Sequence, residues 1–413
     1  MNSAIPEHAG EKHGRRGLRW LFAALIAGAL VTISLVTFLP QASHNEIADP
    51  AIPTSGPKRS HNEIIGPALL KSDAKDLKQT IVSPHDEAPI RPGQNVLWCS
   101  TFQLVWNEAC RQAGGDIHMA NEPAIVPILN KKNASQDDVD PASCLVISGR
   151  IEQGIANKIR QELAEKFQGQ ADPDLLDRAE GKLPRKGYAQ YAYLFRNLPF
   201  QYRFEALQSP LRFLGGSSVA PFGIHYRPSD KDDRHRAEQI RVLDCKSDDD
   251  FIVSLQPKDV KEWIILAKIA PADTLQRTVD AVRSRIRTSG LKPEQQMLRA
   301  DESLVVPMLN IDVRQSYDKL CRKIITTPGP LDGWFIALAL QGIRFRLDEE
   351  GAMLKSEALM AEAAAERIAP AQRERPRELL FDKPFLILLE RHDAQRPYFG
   401  LWVGNTELLT PWK

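Results

Sequence analysis

The chain has 413 residues, with 54 Lys and Arg against 53 Asp and Glu, for a formal net charge of +1 at pH 7. So even a balance leaves no electrostatic footprint for nucleic acid and calls for no strongly acidic partner. The five cysteines, Cys99, Cys110, Cys144, Cys245 and Cys321, contain no CxxC pair, which argues against a disulfide-stapled scaffold or a zinc site, and their odd number leaves at least one thiol free.

At the N-terminus, Lys12, Arg15, Arg16 and Arg19 outnumber Glu7 and Glu11 and precede Trp20 to Leu39, a stretch without a single charge. Its length suits a helix crossing about 30 Å of hydrocarbon. The basic flank predicts residues 1–19 as cytoplasmic, residues 20–39 as a single-pass anchor, and everything after it as extracytoplasmic. A cleaved signal peptide, giving a secreted chain, is the competing reading. It fits less well, because the apolar run exceeds the usual span of about 7 to 15 residues and Phe38 to Ala42 contains no A-x-A site.

Residues 40–92 are rich in Pro, Ser, Asp and Lys, a composition that predicts a flexible linker. The pentapeptide SHNEI occurs at Ser43 to Ile47 and again at Ser60 to Ile64, too short for a repeat fold. His44 and His61 are read as part of that duplication rather than as metal ligands.

From Asn95 the character changes. Leu97, Thr101, Leu104 and Val105 fall at helical spacing and Gly114 and Gly115 close the segment, which predicts a core helix over 95–115. On such a helix Cys99 and Cys110 would stand about 16 Å apart, too far to bridge. Asn133, Ala134 and Ser135 form a glycosylation sequon. Ile151, Ile155, Ile159, Leu163 and Phe167 recur every fourth residue and predict an amphipathic helix. The aromatic stretch Ala189 to Phe213 predicts sheet. His225 and His235 lie in or beside the charged stretch Arg227 to Arg236, read as a solvated loop.

Phe251 to Leu255 and Trp263 to Ile269 predict a hairpin, and Leu275 to Ile286 a helix with Thr274 near its start. Leu304 to Val313 reads as one strand, Ser316 to Ile325 as a short helix and Phe335 to Leu347 as a further strand. Helices and strands mix without a βαβ rhythm, so α+β is the predicted class. The sequence has no HExxH, nucleophile elbow, GxGxxG or Walker loop. No catalytic residue, metal or cofactor is assigned, and no enzyme is expected.

The stretch from Leu304 onward is more specific. LLFDKPFLILL, Leu379 to Leu389, resembles the C-terminal signature of the serpins at every position. VPMLNIDVRQSYDKL, Val306 to Leu320, is similar to a serpin sheet strand and the helical start after it. IRFRLDEEG, Ile343 to Gly351, is similar to the strand that feeds the reactive-centre loop, and PYFGLWVGNT, Pro397 to Thr406, to the closing core strand. Weaker matches lie at Asn95 to Gln103 and Tyr193 to Glu205, while residues 116–185 match nothing in the family.

The resemblance implies a serpin-like α+β fold over 93–413, with a large central mixed or antiparallel sheet, smaller sheets and surrounding helices. It also implies a loop hinge at Glu350, Gly351 and Ala352, with a candidate scissile region at Ala365, Arg367, Arg373, Arg375 and Arg377. The implied partner is a serine protease of trypsin-like preference. Inhibitory serpins carry a run of small residues after the hinge, and Leu354, Lys355 and Glu357 break it. Strand alternation nonetheless puts Ala352, Leu354, Ser356, Ala358 and Met360 on one uncharged face and Lys355 and Glu357 on the other. Burying Leu354 where a small side chain is expected costs about 1–3 kcal/mol by overpacking. Met353 to Ile368 also has strong helix propensity. Two readings therefore stand: a membrane-tethered suicide inhibitor, and a non-inhibitory serpin-fold binding or structural protein with a helical loop.

Overall fold

The computed structural model describes residues 68–357 and 376–413. The expected anchor, the first part of the linker, and Ala365, Arg367, Arg373 and Arg375 lie outside the described residues. Among the described residues no helix is long and apolar enough to cross a membrane.

In chain order the elements are β1 (Leu70–Asp73), β2 (Thr80–Ser83), β3 (Asn95–Cys99), α1 (Thr101–Ala113), α2 (Ile125–Leu129), β4 (Cys144–Arg150), α3 (Ile155–Phe167), α4 (Asp174–Glu180) and β5 (Tyr188–Pro199). Short strands β6 (Glu205–Ala206), β7 (Leu211–Arg212) and β8 (Ser218–Val219) lead to β9 (Pro221–His225), α5 (Lys231–Glu238), β10 (Ile240–Ser247), β11 (Asp250–Leu255) and β12 (Glu262–Lys268). There follow α6 (Leu275–Thr288), α7 (Pro293–Gln296), β13 (Ser303–Pro307), β14 (Leu309–Ser316), β15 (Leu340–Asp348), β16 (Gly351–Glu357), β17 (Glu378–Leu380), β18 (Phe385–Arg391) and β19 (Phe399–Val403).

These strands build a six-stranded sheet in the order β1-β14-β15-β16-β5-β4 and a seven-stranded sheet in the order β10-β11-β12-β18-β19-β3-β2. Smaller sheets are β17-β13-β9-β6 and β7-β8. In the two large sheets the pairs β1–β14 and β2–β3 are parallel, and the remaining neighbours are antiparallel. The class is α+β with one large mixed sheet.

One core lies between the two large sheets, where Phe345 of β15 meets Phe399 of β19 with ring centroids 4.4 Å apart. A second layer forms where α6 covers the other face of the seven-stranded sheet. β18 serves both: Phe385, Ile387 and Leu389 enter the inter-sheet core, while Leu386 and Leu388 face α6. A strand buried on both faces needs apolar residues at successive positions, which is why the run FLILL has no polar alternation.

Several sequence expectations are corrected. β1 and β2 fall inside the stretch 40–92 expected as linker. Asn95–Cys99 is a strand, with Val96 and Trp98 on the α6 side and Leu97 and Cys99 in the inter-sheet core. Two-sided burial of this kind imitates a helical pattern in a short window. Leu304 to Val313 is split between two sheets. Pro307 stands opposite Pro221 at the end of the β13–β9 ladder, and neither residue has an N–H to carry it further. Within Ser316 to Ile325 the helical part is limited to Asp318–Leu320, a 3-10 segment. The charged stretch at Arg227 to Arg236 holds α5, capped by Asp230, whose side chain accepts from the Asp232 and Asp233 N–H groups. All five cysteines are free thiols.

Candidate functional site

β15 alternates Ile343, Phe345 and Leu347 into the core with Arg344 and Arg346 outward. Glu349 and Glu350 then form the tip of a hairpin, and β16 returns antiparallel, with Asp348 opposite Gly351 and Gly342 opposite Glu357. On its other side β16 pairs antiparallel with β5, from Gly351 opposite Pro199 to Ser356 opposite Leu194. It is therefore an interior strand of the six-stranded sheet, with a ladder on each flank.

Each residue expected at the hinge has a definite place in this hairpin. Gly351 has φ +147°, and a Cβ there would stand 2.3 Å from the Leu198 carbonyl oxygen, so only glycine allows the strands to close. The backbone N–H groups of Phe200 and Phe204 donate to the Glu350 and Glu349 carbonyls at 2.8 and 2.9 Å. The Glu349 side chain is buried against Arg203, whereas Glu350 is half exposed and lies 3.4 Å from Arg346. Ala352, Leu354 and Ser356 point into the core, and Lys355 points away, pairing with Asp172 at 3.0 Å above the Tyr193 ring. This is the alternation the sequence predicts as far as Ser356; the Glu357 side chain, Ala358 and Met360 lie outside the described residues. Met353 to Glu357, expected to be helical, is strand, because two flanking ladders and the burial of Leu354 outweigh intrinsic propensity.

Beneath the end of β16 lies a polar cluster the sequence did not signal. The Ser356 and Thr101 hydroxyls share a hydrogen bond of 2.8 Å. Gln341 Nε2 donates to the Cys99 carbonyl at 3.2 Å, and the Tyr317 hydroxyl donates to Gln341 Oε1 at 2.6 Å. A buried hydroxyl costs free energy unless it is bonded. Ser356 meets a partner here only when β16 is in the sheet. Its position on the inward face of the expected strand was the one available signal.

Past Ser356, among the described residues, the β5 strand keeps only its β4 partner, along Tyr188 to Tyr193. Between this stretch and Ala337 to Leu340 opens a cavity of about 470 Å³. Its walls include α1 on the inward face of the sheet and α3 and α4 on the outward face.

The chain returns to the described fold at Pro376, and Arg377 anchors it. Its guanidinium grips Glu302 with two bonds of 2.8 and 2.7 Å and donates to the Gln295 and Met297 carbonyls. Burial opposes ionisation of Glu302, yet the Arg377 pair holds its carboxyl below the ordinary range. Arg377 is 5% exposed, so it is withdrawn from the candidate scissile residues. Next to it Lys268 Nζ binds the Leu380 carbonyl at 2.8 Å and Asp382 at 2.6 Å, fixing the entry to β18.

Several buried acids give the fold a pH dependence. Burial pushes Glu390, which faces Arg283 and Arg287, up to about 7. It also pushes Asp348 at the hairpin and Asp86 up to about 6. An acid whose pKa is raised on folding stabilises the fold while protonated, and that contribution is lost as pH rises through the folded value. His85 works the other way: burial lowers it to about 4, so it costs stability as pH falls below about 6.5. Three acids outweigh one histidine. Unfolding free energy is expected to be about 2 kcal/mol higher at pH 5.5 than at pH 7.5. Urea melts at the two pH values measure it. Glu390→Gln should remove the upper part of the slope, and an unchanged slope in that variant would refute the assignment.

No protein-family model and no curated protein sequence matches this chain. Solved structures to which it is similar in fold include a cleaved Serpin 42Da, at 13% identity and TM-score 0.40 over 73% of this chain and 94% of that one. A cleaved ovalbumin mutant in loop-inserted form is similar at 9% identity and TM-score 0.40, over 76% and 94%. Serpin48 of the insect Tenebrio molitor is similar at 14% identity and TM-score 0.39, over 76% and 92%.

Proposed function

We propose that this chain is a serpin-like protease inhibitor whose residues 358–375 serve as bait for a serine protease of trypsin-like preference, held at a membrane by residues 20–39. The observation that carries the reading is β16 itself, a strand after a Glu-Glu-Gly turn that sits between β15 and β5 with its uncharged face inward. Cleavage in 358–375 would free the strand to lengthen. Continued in the same register, position 360 would come opposite Ala339 and Gln190, both of which line the cavity. Filling that space supplies the free energy that a trap of this kind needs in order to outrun deacylation.

A second reading rests on a specific feature of the same hairpin. β16 occupies the sheet in an uncut chain, and the eighteen residues 358–375 can reach about 60 Å, well beyond the roughly 23 Å run of β16. The hairpin is then permanent, and the protein is a non-inhibitory binding or structural member of the fold.

Incubation with a panel of trypsin-like proteases separates the two. The first reading expects an SDS-stable covalent adduct and, for the nicked chain, a melting temperature about 10 °C higher, equivalent to roughly 7 kcal/mol at this size. A nicked loop with no adduct and an unchanged melt would favour the second. Carbonate extraction of membranes tests the anchor separately, since release of the chain into the soluble fraction would exclude it.

A further inference from the structure

We propose that the cavity below β16 is a binding site for a small amphipathic carboxylate, with an aliphatic tail inside and the acid at the mouth. Its volume of about 470 Å³ falls within the range of small-molecule pockets, and its walls are apolar, with Phe102, Trp106, Ile159, Leu176, Tyr191 and Trp334 among them. Water gains little in such a space because few polar partners are on offer, whereas an aliphatic chain recovers dispersion contact on every side.

The charge of the ligand follows from the lining. Among the described residues that line the cavity Lys186 is the one that is charged, and it is exposed, placing an ammonium where a ligand's polar end would emerge. At the rim Trp334 is 38% and Phe335 53% exposed, and the Trp334 ring lies 5.6 Å from that of Tyr188. A carboxylate would pair with that ammonium, an attraction that an uncharged lipid forgoes.

The site stands whether or not the loop is bait. It does lie in line with β16, so an occupant would compete with any lengthening of that strand.

The test uses the full chain in nanodiscs with 11-(dansylamino)undecanoic acid as the probe, read by its emission. Ala109→Trp on α1 and Ala179→Phe on α4 each fill the cavity from one wall, and thermal melts check that each variant is folded. Saturable binding to the wild-type chain is expected, with at least tenfold loss in whichever filled variants fold. Lys186→Glu should weaken the probe about tenfold while leaving the corresponding alcohol unaffected. No saturable binding to the folded wild-type chain, or equal binding in the filled variants, overturns the site. Equal affinity for acid and alcohol in the wild-type chain overturns the carboxylate. Displacement of bound probe by a peptide of residues 358–364 would confirm that the strand and the ligand share the space, and its absence would refute the competition.

Discussion

Replacing Leu354 by aspartate is expected to drive β16 out of the six-stranded sheet. Leu354 is fully buried between the sheets, opposite Phe345 on one side and Arg196 on the other. Removing the side chain forfeits about 2–3 kcal/mol of burial, and a buried carboxylate in its place, whose neighbour Arg196 is already engaged by Asp140, Asp259 and Glu262, adds a penalty of several kcal/mol. About 5.5 kcal/mol is enough to turn a 99:1 population into its inverse. The strand can leave without dismantling the core, because β15 keeps its ladder to β14. Amide exchange over Ile343 to Glu357 and Leu194 to Pro199 should therefore rise sharply while β18 stays protected. Leu354→Met, which keeps volume, should stay within about 1.5 kcal/mol of the parent. Continued protection of Leu354 to Ser356 in the aspartate variant would mean that β16 does not behave as a separable strand. The variant also bears on activity: a released strand lengthens the bait, so an inhibitor should form more covalent adduct, whereas a permanent-hairpin protein should simply be nicked faster.

What the sequence disclosed of this arrangement followed the local rules. The signature strand was readable because Phe385 to Leu389 is apolar at every position and enters through Pro384, a pattern that fits a strand covered on both faces. α3 was readable because Ile155, Ile159, Leu163 and Phe167 bury one stripe against a single sheet. The turn after β15 was readable from Glu349, Glu350 and Gly351, where a close backbone approach demands glycine.

Features that depend on distant partners were not readable. Asn95–Cys99 looked helical because its two buried faces serve two different layers. Met353 to Glu357 carries helix propensity that only the flanking β15 and β5 ladders overrule. The cavity is walled by segments near 102–117, 151–192 and 325–340, and much of the middle one falls in the stretch 116–185 that resembled nothing known. Arg377 read as one more loop arginine, since its partner Glu302 lies 75 positions away.

That pair carries the other large effect. Arg377→Ala is expected to destabilise the chain by about 3–5 kcal/mol, the usual consequence of removing one partner from a buried ion pair. Glu302 is fully buried, and without the guanidinium Arg299 is the one cation left, among the described residues, to balance its charge. The Gln295 and Met297 carbonyls lose their donor as well. The damage should centre on β17, whose parallel register with β13 begins at Ser303 opposite Glu378, directly beside both members of the pair. Denaturant melts give the magnitude, and amide exchange at Leu379 and Leu380 gives the place. The double variant Glu302→Gln with Arg377→Met removes both charges together and should recover most of the loss, because the single change is costly mainly through the carboxylate it strands. A double variant no more stable than Arg377→Ala would show that the guanidinium's hydrogen bonds to the backbone, rather than its charge, hold the return of the loop.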